Sequence, residues 1–139
     1  MGVIVVVLPK LENAKKVKKI LLEHGFQTVF ACSSASSALQ MVGEYSYGLV
    51  ISGYRMPDMY YLDLVDCLPR DFESILLGSE ETVAQVGAGI LSLTMPIKAY
   101  ELVNTADMVL RQLERRIKKK TRTPKKRSEK EQNYIRNSK

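Results

Sequence analysis

The chain of 139 residues contains one histidine and two cysteines. Cys32 and Cys67 stand far apart, without the spacing of metal ligands. That excludes a disulfide framework and a structural zinc site, and it reads as two buried free thiols in a reducing cytoplasm. His24 precedes Gly25 at a helix end, where carbonyl partners are the ordinary role for a histidine. No acid or base is marked as its catalytic partner. No apolar run approaches the roughly 20 residues that span a bilayer. The apolar start, Met1 to Leu8, lacks a basic region and a small-residue cleavage site, so it reads as a strand and not as a signal peptide. A glycine-rich phosphate loop, a metal-ligand cluster and a nucleophile–base pair are all missing. An enzyme is therefore the poorest reading. The expected setting is the cytoplasm, with no cofactor and no metal.

What is present suits one domain with an appendage. Apolar residues make up 45% of the chain, ample for a core. The net charge of +6 is unevenly spread. Residues 1–114 carry 9 Lys/Arg against 13 Asp/Glu, and residues 115–139 carry 12 against 2. The basic balance thus belongs to the tail.

Apolar and β-branched runs alternate with helical spacing along the chain. Val3 to Leu8 predicts a central strand. Leu11 to His24 predicts a helix, with Leu11, Ala14, Val17, Ile20 and Leu21 at three-to-four spacing and Gly25 as its stop. Phe26 to Ala31 reads as a second strand. A helix capped by Ser33 or Ser34 follows to about Tyr45. Leu49, Val50 and Ile51 predict a strand buried on both faces. Met56-Pro57-Asp58 then makes a turn, in which Asp58 is expected to bond to backbone. A third helix starts at Leu62, with Leu62, Val65 and Leu68 inward, and ends before Pro69. Ser74 to Leu77 and Leu91 to Met95 read as the fourth and fifth strands, with a short helix from about Glu80 to Gly87 between them. Pro96 closes the fifth strand. The last helix begins near Ile97, with apolar positions from Ala99 to Ile117. The fold class is α/β: a doubly wound, five-stranded parallel sheet with right-handed crossovers and an extended C-terminal helix.

The element order, the stretch from Leu49 to Asp58, the Gly87-Ala88 pair before the fifth strand and Pro96 after it resemble the receiver domain of bacterial response regulators. The resemblance covers roughly residues 2–114 and implies the flavodoxin-like strand order 2-1-3-4-5. It also implies phosphoryl transfer to an aspartate. In that family an acidic pair and the acceptor hold Mg²⁺, and a Thr/Ser and a Lys read the phosphoryl group. Magnesium requires a near-octahedral set of oxygens, and the transfer requires cations against developing negative charge. Here the acidic pair falls on Leu8 and Pro9, and the acceptor on Gly53. The hydroxyl falls on Gly78, with Ser79 adjacent, and the lysine falls on Met95. Glu12 and Asp58 are the nearest other carboxylates, and neither is expected to rebuild the site.

Two further features carry functional expectations. Tyr54, Tyr60 and Tyr61, with Tyr45 and Tyr47 nearby, offer an amphipathic surface for a partner or ligand; loop packing is the plainer reading. On the last helix, Leu110, Leu113 and Ile117 are expected to project past the domain and to pair with a second copy. Residues 1–117 would then form the receiver-like domain and residues 118–139 a basic linker. Pro124 is expected to break the helix, and Ser128 to restart it. Arg115, Arg116, Lys118, Lys119, Lys120, Lys125, Lys126 and Arg127 are candidate contacts to RNA or DNA phosphates. The end, from Tyr134 to Lys139, faintly resembles the opening of an antiterminator-type (ANTAR) RNA-binding module, as though an output domain followed. The leading expectation is a dimeric regulatory interaction module in two-component-type transcription control. A nucleic-acid binder and a small-molecule sensor are the alternatives.

Overall fold

A computed structural model describes residues 2–87 and 89–137, with side chains to residue 119. The elements alternate along the chain: β1 (Val3–Val7), α1 (Leu11–Glu23), β2 (Val29–Cys32), α2 (Ala35–Val42), β3 (Gly48–Gly53), α3 (Tyr61–Asp66), β4 (Phe72–Gly78), α4 (Glu80–Val86), β5 (Ser92–Thr94) and α5 (Ala99–Asn137). The five strands are parallel, in the order β2-β1-β3-β4-β5. β1 and β3 lie inside the sheet and are buried along their whole length, as continuous Val/Ile/Leu runs require when helices cover both faces.

Alternation along the strands divides the core into two layers. Ile4, Val6, Leu49, Ile51, Ile75 and Leu77 face α1 and α5. Val3, Val5, Val7, Val50 and Phe72 face α2 and α3. A Cβ built on Gly78 would touch Thr82 and Val83, which places α4 on the second side. Ala14, Val17 and Leu21 form the inward stripe of α1. Gly25 follows at φ +98°, a conformation open to glycine at no cost. Ser34 caps α2 by accepting from the Ser37 N–H, and Ser79 caps α4 in the same way through Thr82. Gly48 is obligatory for another reason: a Cβ there would lie 2.2 Å from the Val3 carbonyl oxygen.

Four expectations are corrected. Leu110 and Leu113 do not project; they are 4% and 1% exposed, with Leu110 in the core beneath α1 and α5. α5 buries its apolar positions through Leu113 against the chain's own core, and Ile117 is half-buried. α3 begins one residue early and buries Tyr61 and Leu64, while Leu62 is 48% exposed. Cys32 is buried as expected but Cys67, at the C-cap of α3, is exposed. Finally, the α5 backbone continues through residue 124 to Asn137. A proline deletes one rung and kinks a helix. Here the packed half of α5 already supplies the nucleus and the Lys/Arg flanks are good helix formers. The side chains of Lys120, Lys125, Lys126 and Arg127, and the last residues of the module-like end, lie outside the described residues. No helix among the described residues is long and apolar enough to cross a membrane.

Candidate functional site

The carboxyl ends of β1, β3 and β4 converge on one shallow cleft of about 450 Å³, as an open α/β sheet dictates. Leu8 and Pro9 follow β1, Gly53 ends β3 and Gly78 ends β4; all four line the cleft. Met95 is not in the lining and is 40% exposed. Only its backbone reaches the site, donating to the Gly78 carbonyl at 2.8 Å. A Cβ on Gly53 would lie 3.4 Å from both Leu8 Cδ2 and Pro9 Cδ.

The remaining lining residues are Tyr54, Arg55, Leu77, Thr82 and Gln85, of which only Tyr54 is marked by a pattern in the sequence. Arg55 is the one charged side chain among the nine, and no carboxylate is present. Glu12 sits exposed in the first turn of α1, outside the lining. No group of three or more His, Cys, Asp and Glu able to hold a metal occurs among the described residues. A carboxylate-held Mg²⁺ therefore does not fit this cleft.

The tyrosines divide. Tyr54 and Tyr60 meet edge-to-face with centroids 5.7 Å apart, and the Arg55 guanidinium lies 5.2 Å above the Tyr60 ring. Tyr60 is 45% exposed, so this cluster forms a surface beside the cleft. Tyr61 does not join it. It is turned inward, 2% exposed, with its hydroxyl 2.7 Å from Ser74 Oγ, and burial raises its phenol above the ordinary range. An aromatic ring at the first position of a short helix fills the core better than Leu62, provided its hydroxyl finds a partner.

Asp58 bonds to backbone, chiefly outside its own turn. Its two oxygens accept from the Ala35 and Ser36 N–H groups at 2.9 and 3.0 Å, tying the β3–α3 loop to the start of α2. Those bonds hold its carboxyl below the usual value. His24 Nδ1 lies 2.8 Å from the Ile20 carbonyl oxygen, the role expected of it.

A second cavity, of about 360 Å³, opens on the other side of the sheet edge. It lies between α3 and α5, against Glu73 and Ser74 of β4. Among the described residues β5 pairs with Leu76, Leu77 and Gly78, and Phe72 to Ile75 pair with β3 alone, which leaves this space open. Strand lengths of this kind are poorly marked in sequence, so the cavity was not foreseen.

No family model matches the sequence, and a search of curated proteins finds no matching relative. Solved structures do match. A response regulator receiver domain protein from Clostridium thermocellum is 20% identical at a TM-score of 0.67, covering 81% of this chain and 96% of its own. A two-component transcriptional regulator AraC from Clostridium phytofermentans ISDg is 14% identical at 0.73, covering 86% and 99%. A CheY-like receiver domain protein from Methanospirillum hungatei JF-1 is 17% identical at 0.69, covering 82% and 98%. Strand order, crossovers and these superpositions agree: the chain has the fold of the response regulator receiver domain.

Proposed function

We propose that this chain is a regulatory interaction module of two-component-type signalling that works without phosphoryl transfer to the usual aspartate. One observation carries the reading. The cleft at the strand ends is lined by Leu8, Pro9, Gly53 and Gly78, where the chemistry needs carboxylates, an acceptor and a hydroxyl. Without carboxylates in the lining the cleft does not offer the oxygen set that Mg²⁺ needs in this chemistry, and without a side chain at Gly53 there is no acceptor for a phosphoryl group there. The signal must then enter through binding, and the Tyr54–Tyr60–Arg55 cluster at the rim of the cleft, with Arg55 and Tyr60 exposed and Tyr54 half-buried, is the surface suited to it. Thermal melts of the whole chain with and without Mg²⁺ and a small phosphodonor test this. Superimposed curves and an unchanged intact mass are expected; a magnesium-dependent rise in Tm or a phosphoryl adduct overturns the reading.

A second reading rests on the size of the cleft. About 450 Å³ is within the range of small-molecule sites, and Arg55 is its only charge. A ligand drawn by that charge would be anionic, and it would raise the Tm of the wild-type chain but not of Arg55→Ala.

A further inference from the structure

Charge is unevenly divided among the elements. Residues 10–24, which hold α1 and its cap, carry five lysines against two glutamates. Residues 99–119 of α5 carry five Lys/Arg against three acids, so this helical layer has a net charge of +5. All the other described residues through 98 carry three Lys/Arg against eight Asp/Glu, a net of −5. Residues 1–119 are neutral as a sum, with the positive excess carried by α1 and α5. α1 and α5 pack as neighbours over the same core layer, while eight of the thirteen acids through residue 119 lie in the other elements and loops.

The lysines of α1 are not explained by stability. Lys15, Lys16 and Lys19 are exposed, and Lys18 is half-buried. None of them makes an ion pair among the described residues, where the two pairs are Arg111–Asp107 and Arg116–Glu73. Lys15 lies one helical turn from both Lys18 and Lys19, and Lys16 one turn from Lys19, so like charges repel along the face. Glu12 and Glu23 are at turn spacing from Lys16 and Lys19 but stay beyond ion-pair distance. The same layer continues into the stretch of α5 that carries Arg115, Lys118 and Lys119, all exposed.

We infer that the α1–α5 layer is a docking surface for the phosphate backbone of a nucleic acid, with Lys15, Lys16 and Lys19 acting together with Arg115, Lys118 and Lys119. Charge complementarity argues for it: a nucleic acid is a regular polyanion, and a lysine-rich surface spread over two helices matches it. Protein–protein interfaces are depleted in lysine and enriched in aromatics. The described side chains of this layer include one exposed aromatic, Tyr100, near the opposite end of α5. Recognition of this kind positions a backbone without reading bases. The inference is independent of how the cleft at Gly53 works.

The test uses the full chain and two labelled probes of arbitrary sequence, a short DNA duplex and an RNA hairpin. Fluorescence anisotropy is followed from about 50 to 300 mM salt. The wild type is expected to bind at least one probe, and preference between them identifies RNA or DNA as the source. Lys15→Ala/Lys16→Ala/Lys19→Ala should weaken binding by about tenfold or more at low salt and lower the log–log salt slope by about 2 to 3, near 0.9 per phosphate lost. Its Tm should not fall, and the Lys→Gln triple variant should behave the same way. The inference is overturned if the triple variant binds like wild type, which would put all contact in the extension. It is also overturned if neither probe binds, or if polyglutamate or anionic vesicles compete as well as nucleic acid does.

Discussion

Tyr47 donates its hydroxyl to Glu114 Oε2 at 2.8 Å, joining the approach to β3 to α5 where the helix leaves the sheet. Burial first, and the Glu114 hydrogen bond second, push the Tyr47 phenol up to about 12. The folded state therefore holds that proton more tightly than the unfolded chain does. The contribution is complete below the ordinary value of 10 and is lost as pH rises through about 12. Tyr47→Phe should cost about 1 kcal/mol at neutral pH, lowering Tm by a few degrees. It should also flatten the alkaline limb of a stability–pH curve, which denaturant melts between neutrality and about pH 12 would read.

At the other end of the sheet, the Asp58 carboxylate acts on the α2 N-terminus with the opposite sign. Its pKa lies below the ordinary 3.8, so its contribution is present above that value and is lost as pH falls through the lower folded value. Asp58→Ala should lower Tm at neutral pH and remove part of the acid limb. Circular-dichroism melts of both chains across that range compare the two. If the curves stay parallel down to acid, the carboxylate is idle.

Restoring the missing aspartate alone should fail. A Cβ at Gly53 has room at 3.4 Å from Leu8 and Pro9, but a carboxylate there would have no second carboxylate in the lining with which to hold a cation. Gly53→Asp should lose about 1 to 3 kcal/mol at neutral pH. The loss should shrink as pH falls, because a buried acid is better tolerated when protonated. Intact mass after incubation with phosphodonor and Mg²⁺ should show no adduct.

Leu113 is 1% exposed inside its own domain. Leu113→Ala should therefore cost about 2 to 5 kcal/mol, as a truncated core leucine does. The sedimentation coefficient of the folded variant should match that of the wild type. A change of oligomeric state at unchanged stability would return this side chain to an interface between copies.

The topology was legible because each element has its own period: continuous Val/Ile/Leu runs for β1 and β3, and three-to-four spacing for α1 and α5. The residues at the strand ends were legible for the same reason, since Gly53 and Gly78 fall where β3 and β4 stop. Partners were harder to read. The apolar spacing of Leu110 and Leu113 is identical whether the stripe packs on its own sheet or on a second molecule. Choosing between Tyr61 and Leu62 depended on Ser74, 13 residues away, being in reach of a hydroxyl. Asp58 finds its donors 22 and 23 residues back, a distance no local pattern reports.

The unequal lengths of β4 and β5 leave one corner of the sheet unfinished, with Phe72 to Ile75 lacking a paired strand on that side among the described residues. Bare strand edges recruit other chains. Arg116 bonds Glu73 at 2.8 Å beside that corner, and Met108 of the same helix helps to wall it. α5 thus serves as a guard rail as well as a core helix. Lifting it would hand any extended peptide a ready template, so association under mild denaturation should begin here and not at the apolar centre.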